Sequence, residues 1–470
     1  MQIKFNDFRR GINRKLSDNL LALNEARMCY NFDFSGGSLK SSFPFQPEFG
    51  DILTNIGEVE GFTGKESVAQ GGSVFYFRKY DFVSQKDASK LIYVSPSFDF
   101  FYLDIMAETP TFVSLGVTFT SSPVAINYRL DSEDVIIFCS PTDNMVVWDG
   151  VGEPEVVIDA PKITSMCLHS ERLFATTSGS SDEVWFSDDL DPTNWSVSLL
   201  DAGFIQLVDE RGGANKVISY NGYVYIFRDR GISRLSASGA QEDFYLSHLF
   251  VSSGEIYDKT VALCGDRIIF VASDGVYCFN GTDTIKILED MGEIINPSSD
   301  SVAEFYNGKY YLACHIDFDD EVYSDSDIQN NALFEYDIAS GEYVIYRGLC
   351  VQSMTTIEDC GKHKLILLNN GSDIFLSKSN QQSDCFAGFT LAPYDFGEPA
   401  KSKVVRKVKA YLSGKGKAKV ILYNPEGEES VIELQEHTNC IPIIFNGRSI
   451  GLKFHSANDV EISDIEIDVY

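Results

Sequence analysis

Residues able to carry proton-transfer chemistry are thinly spread along this chain. Its six histidines, His169, His248, His315, His363, His437 and His455, fall one to a segment. General acid–base catalysis needs donor and acceptor within hydrogen-bond reach of each other, and no motif here pairs them. No serine or cysteine stands in the sharp strand-to-helix turn that presents a nucleophile. Two carboxylates for glycoside cleavage need only meet in space, but nothing nominates a pair. Ten cysteines occur without a Cys-x-x-Cys pair. Cys139, Cys167, Cys264, Cys278 and Cys314 stand in apolar, strand-like surroundings and read as reduced core thiols of a protein folded in a cytoplasm. Metal clusters need closer, paired spacing.

Two acidic stretches come nearer to a site. Asp317-Phe318-Asp319-Asp320-Glu321, with Asp325 and Asp327, offers carboxylates of the kind that hold a hard cation such as Ca²⁺. The glycine and glutamate of an EF-hand frame are missing, and the stretch reads as a solvated loop. Ser187, Asp189 and Trp195 partly match the sialidase Asp-box. However, Asp191 stands where its glycine belongs, Trp195 comes one residue late, and there is a single copy. An Asp-Pro turn with a packed tryptophan is the better reading. The expectation is therefore no catalytic, cofactor-binding or metal-ligating residue, no cofactor, and no enzyme.

The elements that would have to position such residues are repeated hairpins. Val217–Phe227 is a short apolar strand, an Asn221-Gly222 turn and a second apolar, aromatic strand. Asn-Gly between apolar runs is the strongest short-range hairpin signal, because a type I′ turn needs φ > 0 at both central residues. The pattern recurs at Val302–Leu312 and Val261–Phe270, and more loosely at Met166–Ala175, Ala125–Phe138, Val68–Phe77 and Met354–Leu368. Turn positions Glu171, Gly222, Asp266 and Gly308 are spaced by 51, 44 and 42 residues. Shorter strands follow each copy, as in Gly275–Phe279 then Ile285–Leu288. Four short strands in roughly 40–50 residues make one β-propeller blade, and the period favours this over an array of sandwiches. The expected fold is all-β: a propeller over residues 58–390 with about seven four-stranded blades, six or eight being possible.

Outside the repeats, residues 1–57 read as an N-terminal arm with one short helix near Leu16 to Tyr30, where Leu20, Leu23, Ala26, Arg27 and Tyr30 fall at helical spacing. The arm either docks on a neighbouring subunit, packs against the propeller rim, or is an ordinary extension covering one blade. Residues 391–470, after a linker at Ala392–Pro399, read as a small antiparallel β-sandwich; Ile462–Val469 alternates clearly. Lys and Arg number 38 against 69 Asp and Glu, a net charge of −31. That excludes nucleic-acid binding through a basic groove. It either keeps a large β-protein soluble and its edges apart or makes a surface along which DNA slides without sticking. No signal peptide and no transmembrane span are expected.

Two stretches resemble a known family. Asn24-Glu25-Ala26-Arg27, Tyr30-Asn31-Phe32-Asp33 and Gly36-Gly37-Ser38-Leu39-Lys40 are similar to an N-terminal signature of virion tail proteins of tailed bacteriophages. Arg172-Leu173-Phe174-Ala175, Val184-Trp185-Phe186-Ser187 and Asp191-Pro192-Thr193-Asn194-Trp195 resemble a blade of the same group. Ser41-Ser42-Phe43-Pro44 departs from the Arg-Pro-Gly ending usual there. The resemblance implies a β-propeller tail nozzle or tail hub subunit, a non-enzymatic structural protein of the virion tail, assembled in the host cytoplasm. Its implied partners are itself, as a cyclic homo-oligomeric ring below the head–tail connector; neighbouring tail or head–tail adaptor proteins and possibly tail fibres; and genomic DNA passing without specific binding. The alternative is a carbohydrate-binding or glycan-cleaving propeller acting in host receptor recognition.

Overall fold

The computed structural model describes residues 1–49, 72–81, 83–107, 110–197, 202–252, 254–318, 320, 323, 325–359, 361–370 and 374–470. Seven antiparallel sheets follow one another along the chain, six of them in the order inner strand to outer strand. Blade 2, for example, is Val124–Leu130, Glu133–Cys139, Met145–Trp148 and Glu155–Val157; blade 4 is Ala214–Tyr220, Tyr223–Arg228, Gly231–Ser236 and Tyr245–Val251. The inner strands of blades 1, 3, 5, 6 and 7 are Ser73–Phe77, Ile163–His169, Ile256–Cys264, Val302–Tyr306 and Val351–Asp359. The protein is a β-propeller.

Turn chemistry makes the first hairpin of blades 4, 5 and 6. Asn221 and Gly222 have φ of 49° and 79°, as do Asn307 and Gly308, the two positive values of a type I′ turn. Gly265 supplies a positive φ of 68° before Asp266, and Cys264 faces Arg267 across that two-residue loop. The Val68–Phe77 repeat has its turn residue Gly71 outside the described residues, and Ser73–Phe77 pairs instead with Lys90–Val94 further on.

Second strands of the blades are buried on both faces, so they read as continuous apolar runs, not alternating ones. Successive side chains point to opposite faces. Ile137 and Cys139 pack into the cleft toward blade 3, while Ile136 and Phe138 pack toward blade 1. Six such clefts hold separate apolar clusters, and the one joining blade 7 to blade 1 (Ile366, Leu368 and Phe375 against Tyr93 and Leu103) closes the circle. The seventh cleft, between blades 5 and 6, is continuous with the core of a second domain.

That domain is a two-sheet sandwich, built from both ends of the sequence. In one sheet Gln2–Phe5 and Leu39–Ser41 pair with Val460–Val469, which pairs with Lys403–Gly414 and then His437–Gly447. The other runs Ala26–Tyr30, Phe386–Tyr394, Ile450–Ala457, Lys417–Tyr423, Glu429–Leu434. The first strand of this second sheet to come from the C-terminal side starts at Phe386, and Ala392-Pro393, expected in a linker, sit inside it at a register shift, where proline is tolerated.

Residues 1–49 differ from the expected arm with a short helix. Only Asp18–Leu20 forms a 3-10 turn, and Ala26–Tyr30 is a strand. Ala26, Met28, Cys29 and Tyr30 are all but fully buried. A one-sided helix cannot bury near-consecutive positions, whereas a strand held between a sandwich core and blade 6 can. Tertiary packing overrides the helical spacing. Further on, Phe45–Pro47 pairs with Phe375–Lys378 as the outer strand of blade 7, so the propeller is closed by its own N-terminal segment. The expected boundary at residue 57 lies outside the described residues.

Candidate functional site

Polar side chains converge at four places, of which the sequence marks only part of the first, through the acidic stretch that holds Asp320 and Asp325. The most enclosed is the junction of propeller and sandwich. Arg347, last residue of the outer strand of blade 6 (Tyr343–Arg347), is 1% exposed. Its guanidinium donates to both oxygens of Asp325, at 2.7 and 2.8 Å, and to Asp320. Its plane lies 4.0 Å from the ring centre of Phe318 and 4.9 Å from those of Tyr30 and Tyr323. Tyr30 donates its hydroxyl to Asp320 at 2.8 Å, and Asn31 brackets the Arg347 backbone, accepting from its N–H and donating to its carbonyl. Burial pulls the guanidinium's proton affinity down, but hydrogen bonds to Asp325 and Asp320 outweigh it, and the net shift is upward. An arginine stacked and bidentately paired in this way is not replaceable by lysine.

This cluster forms the floor of a cleft of about 440 Å³ that also exposes His315, Asp317 and Asp327. The acidic loop thus differs from a solvated one where it is described: Asp325 is buried. Asp320 and Asp325 face a cation the chain itself supplies. Asp319 and Glu321 lie outside the described residues, and among the described residues no group of three His, Cys, Asp or Glu side chains is arranged to hold a metal ion.

Between blades 6 and 7, Glu335 is 3% exposed and lies between Lys309 and Lys378, while Tyr346 donates to it at 3.0 Å. Burial works to raise the Glu335 carboxyl, but the two ammonium groups more than reverse that and leave it below its ordinary value. In blade 4, Ser233 and His248 share a hydrogen bond of 2.9 Å, and the other ring nitrogen of His248 lies 2.9 Å from Asp209. The order is that of a hydrolytic triad, yet Ser233 is fully buried and Asp209 is also bound by Arg228 and Arg211. No substrate can meet this serine. The chain of bonds clamps the outer strand of the blade to the loop that enters its inner strand.

The fourth place is the propeller axis. Glu304, on the inner strand of blade 6, is pushed up to about 7 by burial, moderated by Lys216 of blade 4. Burial lowers Lys216, and Asp258 of blade 5 and Glu304 both work against that. Among the described residues no ion pair joins these three, and no histidine stands with them.

Of the residues weighed in the sequence, Asp320 and Asp325 come together on Arg347, whereas the histidines and the Asp-box residues do not assemble. His169 lies against Ser219 at 2.9 Å, His455 packs edge-on to Phe386, and His363 and His437 are exposed. Trp195 is buried in the cleft between blades 2 and 3 and donates its indole N–H to the Pro192 carbonyl at 2.9 Å. The nine described cysteines are free, and burial pushes the Cys167 thiol up to about 12. The clusters that do form could not be read from sequence, since their members lie as much as 316 residues apart (Asn31 and Arg347). Among the described residues no helix is long and apolar enough to cross a membrane.

No protein family matches the chain, and no curated protein matches it. Among solved structures it is similar to BBS1N in complex with ARL6DN, at 8% identity over 63% of this chain and 89% of that one (TM-score 0.42). It is also similar to PorZ, a bacterial surface component of the type-IX secretion system of Porphyromonas gingivalis, at 10% identity over 78% of this chain (TM-score 0.41); the chain spans 46% of PorZ. A third is the extracellular domain of BT4673 from B. thetaiotaomicron, at 11% identity over 90% of this chain and 59% of that one (TM-score 0.45).

Proposed function

We propose that this chain is a structural subunit of a phage virion tail, a nozzle or hub block assembled into a ring below the head–tail connector, through which DNA leaves. One observation carries the reading: the residues that resemble tail proteins, Glu25–Lys40, are the ones that weld the propeller to the sandwich. Ala26–Tyr30, Phe32–Asp33 and Leu39–Ser41 are strands of the two sandwich sheets, and Asn31 between them holds blade 6. A segment that docks one rigid domain on another suits a building block. The polar clusters support the same reading, because the charges of Arg347, Glu335 and Asp209 are met by the chain's own side chains. Partners in this reading are further copies of the chain, adaptor proteins and tail fibres, and the passing DNA.

Negative-stain imaging of the purified protein, with its mass in solution, tests this. Closed rings with a central hole are expected. A protein that stays monomeric and binds or cleaves glycans on an array would overturn it in favour of a receptor-recognising propeller.

A further inference from the structure

The rim of the propeller is not uniform. Blade 6 has its outer strand covered by the sandwich and N-terminal strands, and blade 7 takes Phe45–Pro47 as its outer strand. Among the described residues the outer strand of blade 2, Glu155–Val157, has no strand beyond it. Around it, residues 151–159 expose Val151, Val156 and Ile158, at 82%, 59% and 75%. The same stretch exposes Glu153, Glu155 and Asp159 and contains no Lys or Arg. None of these three carboxylates is in an ion pair among the described residues. The loop that carries Val151 is pinned: Asp149 accepts from the N–H groups of Val151 and Gly152 at 2.9 and 2.8 Å, and Trp148 donates to the Gly152 carbonyl at 2.8 Å. This is an ordered, acidic and apolar patch.

A patch of opposite character lies on the sandwich. The free side of its first sheet is His437–Gly447, an edge strand with no neighbour beyond it, next to Lys403–Gly414. Neither strand contains a single Asp or Glu, whereas Arg406 and Lys407 lie on the second, just before Lys409, whose ammonium Glu466 of Val460–Val469 already pairs. Arg406 is exposed over the Tyr470 ring, and Ile444 and Tyr411 are exposed at 79% and 43%. Residues 401–470 hold ten Lys or Arg and ten Asp or Glu, so the whole net charge of −31 resides in residues 1–400. Two copies therefore repel through most of their surfaces, and the sandwich edge is the place where an acidic rim is welcome.

We infer that the blade 2 rim of one copy docks on the free sandwich edge, Arg406, Lys407, Tyr411 and Ile444, of a second copy of this chain. The two patches differ, so the contact is heterologous and leaves a joined pair with one unused patch of each kind, one on each copy; repetition propagates it, and closure gives a ring. The strand Glu155–Val157 is short and Pro442 interrupts the facing edge, so side chains, not added backbone pairing, make the contact. This deepens the ring reading and rests on it.

The test uses sedimentation velocity of the full chain across concentration, at low and high salt. One variant carries Glu153→Lys and Glu155→Lys, and the other Arg406→Glu and Lys407→Glu. Wild type should associate with rising concentration, less so in high salt. Each variant alone should associate at least roughly tenfold more weakly, since like charges then face each other. An equimolar mixture of the two should recover association, because each supplies the patch the other needs. Unchanged melting midpoints control for folding; if the rim variant melts early, Ile158→Lys replaces it. Variants that associate as wild type does, or a mixture that fails to recover, overturn the interface while leaving rings through another surface open to imaging. A wild type that remains monomeric at every concentration overturns the interface as well, and monomers that also bind glycans remove the ring reading with it.

Discussion

At Arg347 a single side chain holds two carboxylates and three aromatic rings, and the energetic weight lies in what its loss would leave behind. Removing one partner of a buried ion pair is strongly destabilising, because the other charge stays buried and unpaired. Arg347→Leu should cost about 3–5 kcal/mol in denaturant unfolding, and Arg347→Lys should recover only part of it. Glu335, buried between blades, and Glu304, half-buried on the inner strand of blade 6, give opposite pH signatures. Glu335 is held below its ordinary 4.5, so its contribution is present above that pH and is lost as pH falls through the folded value; the stability gap between wild type and Glu335→Gln should shrink in acid. Glu304 is raised from 4.5 to about 7. Its contribution is full below pH 4.5 and is lost as pH rises through 7, so Glu304→Gln should gain on wild type across that window, by at most about 3 kcal/mol. Chemical unfolding at several pH values reads both. A Glu304→Gln curve parallel to wild type would remove the burial assigned to that carboxyl.

Among the elements, the hairpins were legible in the sequence and the closing strand was not. Asn221-Gly222 and Asn307-Gly308 announce themselves because their backbone conformation is local and few residues adopt it. Phe45–Pro47 depends on an edge that the chain makes more than 300 residues later, and nothing in Phe43-Pro44-Phe45 points there. Leu20, Leu23, Ala26 and Tyr30 mislead for the same reason: their spacing is local, while the packing that makes Ala26–Tyr30 a strand is not. The candidate clusters were hidden further still, since Asp209, Ser233 and His248 or Lys309, Glu335 and Lys378 have meaning only after blades stack. Phe45 is 1% exposed between blades 6 and 7. Phe45→Ala should cost about 3–5 kcal/mol and open blade 7 first, which hydrogen exchange would show as lost protection in Phe375–Lys378 ahead of blades 3 and 4.

For the whole molecule, charge and closure set the behaviour. If acidic residues of the assembled ring face the passing DNA, neutralising them should slow DNA ejection without preventing particle assembly; unchanged ejection kinetics would remove that role. The pairing of Phe45–Pro47 with Phe375–Lys378 also reaches back to the birth of the chain. At about 5–20 residues per second on the ribosome, the closing strand emerges some 15–65 seconds before its partner exists. Throughout that wait blades form in order with an open seam, and the emerging protein must keep an unsealed edge away from its neighbours on the same message. Closure thus waits until Phe375–Lys378 has been made, with the sandwich strands from Phe386 onward still to come, and a chain cut short anywhere before residue 375 is left as a ring that cannot shut.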